Sequence, residues 1–118
     1  MSLQEDITSI EADSEICRSN IAFGDALKRL RANKDFKKVI EQAYLHDNAL
    51  RLVELLSAPQ TDTEAKQRLI TDELKAIGLL KFWFTYIEQE SLRAEKQLEA
   101  NDHSLEYMNN ELLKEGDE

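Results

Sequence analysis

The sequence is short of the residues that interrupt a helix. Its 118 residues include three glycines and one proline, too few turn formers for the closely spaced strands of an all-β domain. Cysteine occurs once, at Cys17. That excludes an intramolecular disulfide and a CxxC pair, suits a reducing compartment, and leaves Cys17 as a small apolar packing residue rather than a nucleophile. No apolar run approaches the ~20 residues of a membrane span, and the opening MSLQEDITSIEADSE is acidic where a secretion signal would be basic. A cytoplasmic location is expected, which for a virus-encoded chain means the host cytoplasm or the particle itself.

Catalytic signatures are equally scarce. There is no glycine-rich phosphate loop, and no grouping of Ser, His and carboxylate suggests a triad. His46 beside Asp47 is read as a helix-end residue rather than a general base. Glu99, Asp102, His103 and Glu106 have helical spacing, but the order is ExxxH rather than the ExxH of di-iron bundles, and no second copy exists. No catalytic residue, cofactor or metal site is expected.

What the chain has is charge and helical periodicity. Acidic side chains number 24 and basic ones 15, a net charge of −9, which disfavours broad attraction to phosphate backbones. Six bases nevertheless fall within eleven residues: Lys28, Arg29, Arg31, Lys34, Lys37 and Lys38. They are read as a solvated or partner-facing patch, with phosphate contact as the alternative. Residues 86–118, with ten acids against three bases, offer a complementary surface.

The C-terminal half carries the strongest pattern. Leu80, Phe84, Ile87, Ser91, Ala94, Leu98, Asn101, Leu105, Met108 and Leu112 advance by strict alternation of four and three residues, the a and d positions of a heptad. A helix over 62–113 would be about 78 Å long at ~1.5 Å per residue, more than a small globule can cover, so another helix must pack along its seam. The N-terminal segment offers a match in Leu3, Ile7, Ile10, Ser14, Cys17 and Ile21. Its phase then moves to Ile16, Asn20, Phe23, Leu27 and Leu30, so the arm changes neighbours near Gly24. The cover is either this arm folded back antiparallel or the same helix of another subunit. Asn101 and Ser91, polar within the seam, would either fix its register or mark a place near Asn101-Asp102 where the helix frays or bends.

Between the arms, Asp35 is the expected N-cap of a helix with Phe36, Val39, Ile40, Ala43 and Tyr44 on its inner stripe. A break or kink is expected at 46–48, followed by Ala49, Leu52, Val53 and Leu56 on a shorter helix. The chain turns at Ser57-Ala58-Pro59, and Thr61 and Glu64 stand in capping-box spacing for a helix beginning near Asp62. Phe82, Trp83, Phe84 and Tyr86 cannot all face one core, because successive helical residues are ~100° apart. Either the helix is sandwiched inside its own domain, or Phe82, Trp83 and Tyr86 anchor a partner.

The expected fold is all-α: one domain with extensions, in which a compact helical core (33–85) joins an N-terminal arm (1–32) and a C-terminal coiled-coil extension (86–113). An acidic tail (114–118) follows. The long terminal helices would form an antiparallel or oligomeric coiled coil.

The strings Ala26-Leu27-Lys28-Arg29-Leu30, Asp35-Phe36-Lys37-Lys38-Val39-Ile40 and Asn48-Ala49-Leu50-Arg51-Leu52-Val53, with the Ser57-Ala58-Pro59 turn and Asp72-Glu73-Leu74-Lys75-Ala76-Ile77-Gly78-Leu79-Leu80, resemble a group of small acidic helical proteins of tailed bacteriophages. The resemblance covers about residues 24–98 and brings no catalytic residues with it. It implies a phage-encoded virion, assembly or accessory protein.

The resulting expectation is a non-catalytic structural or assembly protein that self-associates through the seam or binds another protein. One alternative is an acidic inhibitor that mimics nucleic acid on a host protein. Another is a DNA-binding packaging or regulatory protein using the Lys28–Lys38 cluster.

Overall fold

A computed structural model describes residues 2–116, which form helices joined by short turns, with no strand among them. The elements are α1 (Leu3–Ala32), α2 (Lys34–Phe36), a π-helical segment π1 (Lys37–Asp47), α3 (Asn48–Leu56) and α4 (Glu64–Gly116). The expected all-α fold with long N- and C-terminal helices is what the chain adopts. Of the expected acidic tail, 114–116 continue α4, while Asp117 and Glu118 lie outside the described residues. No helix among the described residues is long and apolar enough to cross a membrane.

The helix starts are set by local side-chain bonds, and two differ from expectation. The capping box sits at Ser2 and Glu5: Ser2 Oγ accepts from the Glu5 amide at 3.1 Å, and Glu5 Oε2 accepts from the Ser2 amide at 3.4 Å. At α2, Asn33 rather than Asp35 is the cap, its Oδ1 accepting from the amides of Asp35 and Phe36 at 2.9 and 3.0 Å. For α4 the cap is Thr63, whose Oγ1 accepts from the Lys66 amide at 3.2 Å. Thr61 is instead buried in the turn, its amide donating to Ala58 O at 3.0 Å. Lys66 Nζ ties that turn to the helix through Gln60 O and Asp62 Oδ1, at 3.1 and 3.2 Å.

Residues 46–48 do not break the helix. Asp47 and Asn48 both keep right-handed helical angles, and the Asn48 amide donates to Ala43 O, five residues back. What changes is the pitch. An i→i+5 ladder puts more than about four residues in each turn, so the inward positions become Phe36, Ile40, Glu41, Leu45, Ala49 and Leu52. The expected stripe assumed the α period; its Val39, Ala43 and Tyr44 are exposed, and Leu45 is the buried residue. Gln42 Nε2 reaching Asp47 Oδ1 at 2.9 Å, again five residues on, is the surface counterpart of this register.

The chain packs as two compact units, Met1–Ala26 with Ile87–Glu118, and Leu27–Tyr86. The first is a pair of helices. Gly24 lies against Ser91, and Ser14 bonds Asn101. Moving back from Gly24 to Ser14 matches moving forward from Ser91 to Asn101, so the pair is antiparallel. The second unit packs Leu27, Leu45, Leu52, Ile77 and Phe84 as its buried apolar residues. The burial along α1 follows Ile7, Ser14, Cys17, Gly24 and Leu27. A three-residue step from Gly24 to Leu27 shifts its phase at the division between units. The expected second stripe does not form, since Ile16, Phe23 and Leu30 are all exposed.

Candidate functional site

Within the paired helices the four-three rows of the two arms meet. Ile87, Ser91, Ala94 and Asn101 are buried, and Leu98, Leu105, Met108 and Leu112 are half-buried. The seam therefore has cover within the chain, from α1. Leu80 and Phe84 belong to the other unit, half-buried and buried respectively.

Small and polar residues define this seam. Ser14, Ser91 and Asn101 are buried polar positions among Cys17, Gly24 and Ala94. Asn101 Nδ2 donates to Asp13 Oδ2 at 2.8 Å and to Ser14 Oγ at 3.2 Å, while its Oδ1 accepts from Gln97 Nε2 at 2.9 Å. The Gln97 bond lies within α4, so it is the two Nδ2 bonds to Asp13 and Ser14 that depend on how the helices align and make the group a register lock. The Cys17 thiol donates to Asp13 Oδ2 at 3.9 Å. Burial, and then the neighbouring Asp13 carboxylate, push this thiol above its ordinary pKa, which makes it a poor nucleophile.

In the second unit, Phe84 is the hub. Its ring meets Phe36 edge-on at 6.0 Å, tilts against Trp83 at 6.0 Å, and lies 5.9 Å below the Arg31 guanidinium. Arg31 Nε also donates to Glu41 Oε1 at 2.8 Å. Arg31, Glu41 and Phe84 line an open hollow of about 390 Å³ with Leu45, His46, Lys81 and Thr85. Beside it, the His46 and Gln42 side chains bond Asp47 and hold its carboxyl below the ordinary range, His46 having the larger effect.

The remaining expected site residues are distributed as follows. Lys28, Arg29, Lys34, Lys37 and Lys38 are exposed, whereas Arg31 is partly withdrawn into the contacts with Glu41 and Phe84. The sixth base of the cluster thus does not present its guanidinium as the others present their charges. Glu99, Asp102, His103 and Glu106 are not buried, and no group of three His, Cys, Asp or Glu among the described residues could hold a metal ion.

The aromatic run separates by face. Phe84 is 7% exposed and Ile77 3%, but Leu79 is 70%, Phe82 77%, Trp83 50% and Tyr86 57%. Sequence reasoning singled out the three aromatics and missed Leu79; its position three before Phe82 and seven before Tyr86 was the available signal. Charge also separates by unit. Residues 1–26 and 87–118 together carry 16 acids against 4 bases, and residues 27–86 carry 8 acids against 11 bases.

Compared with known proteins, the chain matches no family, no curated protein and no solved structure.

Proposed function

We propose that this is a non-catalytic structural or assembly protein that acts through helix-mediated self-association. The resemblance to small acidic phage proteins suggests a virion or assembly accessory role. The observation that supports the reading is α4 over 75–86, which has apolar side chains on two opposite faces. One face, with Ile77 and Phe84, serves the core of its own unit; the other, with Leu79, Phe82, Trp83 and Tyr86, stands in solvent. An exposed apolar face on a helix whose opposite face is already buried suits a contact with another chain. The Ile87–Leu112 seam is already covered by α1, so the contact is assigned to this outer face. Mass measurement by light scattering across a concentration series tests the reading: an oligomer is expected, and a monomer at every accessible concentration defeats it.

A second reading is favoured by the charge separation. Sixteen acids against four bases over residues 1–26 and 87–118 suit an acidic inhibitor seated on a basic groove of another protein. Such binding weakens steeply with salt, whereas apolar self-association between copies of charge −9 strengthens as salt screens their repulsion.

A further inference from the structure

The outer row of α4 advances through Lys75, Leu79, Phe82 and Tyr86 by steps of four, three and four, the spacing of a helix-pairing seam. Ala76 and Trp83 flank this row on one side and Gly78 lies on the other. A Cβ built at Gly78 meets nothing within 4 Å, so a second backbone has room to approach. The row is asymmetric along its length: its N-terminal half offers a cation and small residues, and its C-terminal half offers rings.

An asymmetric row of this kind is its own complement when reversed. We infer that two copies of this chain pair antiparallel about a two-fold axis between Leu79 and Phe82 of α4, each Leu79 packing on the other copy's Phe82 and each Lys75 facing the other copy's Tyr86. The inference rests on the self-association reading above and supplies its surface and orientation.

In the same register Ala76 and Trp83 of the second copy lie on the same side of the seam, about 3 Å apart along the axis, a small residue beside a large ring. It also sets the Lys75 ammonium near the Tyr86 face, where a cation is attracted by the ring quadrupole. Parallel pairing would instead stack Lys75 on Lys75 and Asp72 on Asp72, like charge on like charge in two successive layers. Charge therefore selects the reversed orientation. A two-fold contact is isologous and closes at two copies, so it yields a discrete dimer rather than a filament.

The test uses the full chain in a Cys17→Ser background. Lys75→Cys and Tyr86→Cys versions are oxidised separately and mixed. Antiparallel pairing gives a covalent dimer only in the mixture, because within either pure sample the two thiols lie about 16 Å apart along the axis, eleven residues at ~1.5 Å each. Cross-linking in the pure samples overturns the orientation. In parallel, sedimentation of Leu79→Glu and Phe82→Glu, with helicity checked by circular dichroism, should show the dimer dissociation constant raised about thirty-fold or more. A folded Phe82→Glu protein that dimerises as well as the native one, with no mixed cross-link, overturns this surface while leaving self-association standing. A native chain that is monomeric throughout overturns both.

Discussion

Asn101 on α4 donates its amide to Asp13 on α1 at 2.8 Å, across 88 residues of sequence. Ser14 shares the same nitrogen, and Gln97 donates to the amide oxygen. Removing the amide leaves the buried Ser14 hydroxyl and the more exposed Asp13 carboxylate on the opposite helix without this partner.

Asn101→Ala should therefore lower stability by about 1–3 kcal/mol, the cost of an unmet buried polar group. Urea denaturation followed by circular dichroism measures it. A double-mutant cycle with Asp13→Ala should return a coupling above about 0.5 kcal/mol; additive effects would mean the two side chains do not interact.

At Gly24 α1 packs closely on α4, and a Cβ built there runs into the Ser91 side chain. Alanine is the better helix former by about 1 kcal/mol, yet Gly24→Ala should destabilise, since overpacking typically costs about 1–3 kcal/mol. In a Ser91→Gly background the Ser91 side chain is gone and the nearest remaining neighbour is the residue 91 Cα, at 3.8 Å, so the same Gly24→Ala change should there be neutral or stabilising. Melting temperatures of the four proteins decide this, and a Gly24→Ala protein more stable than native in the Ser91 background would refute the close approach.

Phe84 and Phe82 are two residues apart on α4 with opposite environments. Phe84→Ala should cost about 3–5 kcal/mol, as for a core aromatic. Phe82→Ala, measured in dilute solution where association is absent, should stay within about 0.5 kcal/mol of native. Denaturation midpoints compare them, and equal losses would count against the two-faced description of this helix.

The raised pKa of Cys17 sets a sign for alkaline behaviour. A thiol kept neutral in the folded state contributes stability that is fully present below its unfolded pKa and is lost as pH rises through the higher folded value. Stability should thus fall above the ordinary thiol range, and Cys17→Ala should flatten that part of the curve. Alkylation at neutral pH should be slow in the native protein and rapid in urea; fast labelling of the folded chain would contradict the burial.

Periodicity alone made the arms legible. Side chains three and four apart share a helix face whatever they pack against, so Ile7, Cys17, Ile87, Ala94 and Leu98 could be placed on the seam directly. Ser14 and Asn101 were both visible as polar interruptions, but their pairing depended on register, a property of two helices together. The π1 face was illegible for a different reason. The rule that would place Val39 and Tyr44 inward assumes the α pitch, and the i→i+5 ladder from Ala43 to Asn48 changes it.

The sequence by itself determined that this protein is all-α, net acidic and turned at Pro59, because propensity, charge and turn chemistry are local quantities. Only the tertiary structure decided that α1 covers the C-terminal seam, that Arg31 turns toward Glu41 and Phe84, and that Leu79, Phe82 and Tyr86 face solvent. Each of these depends on which surfaces remain after distant segments meet, and that competition is settled by packing among residues far apart in the chain.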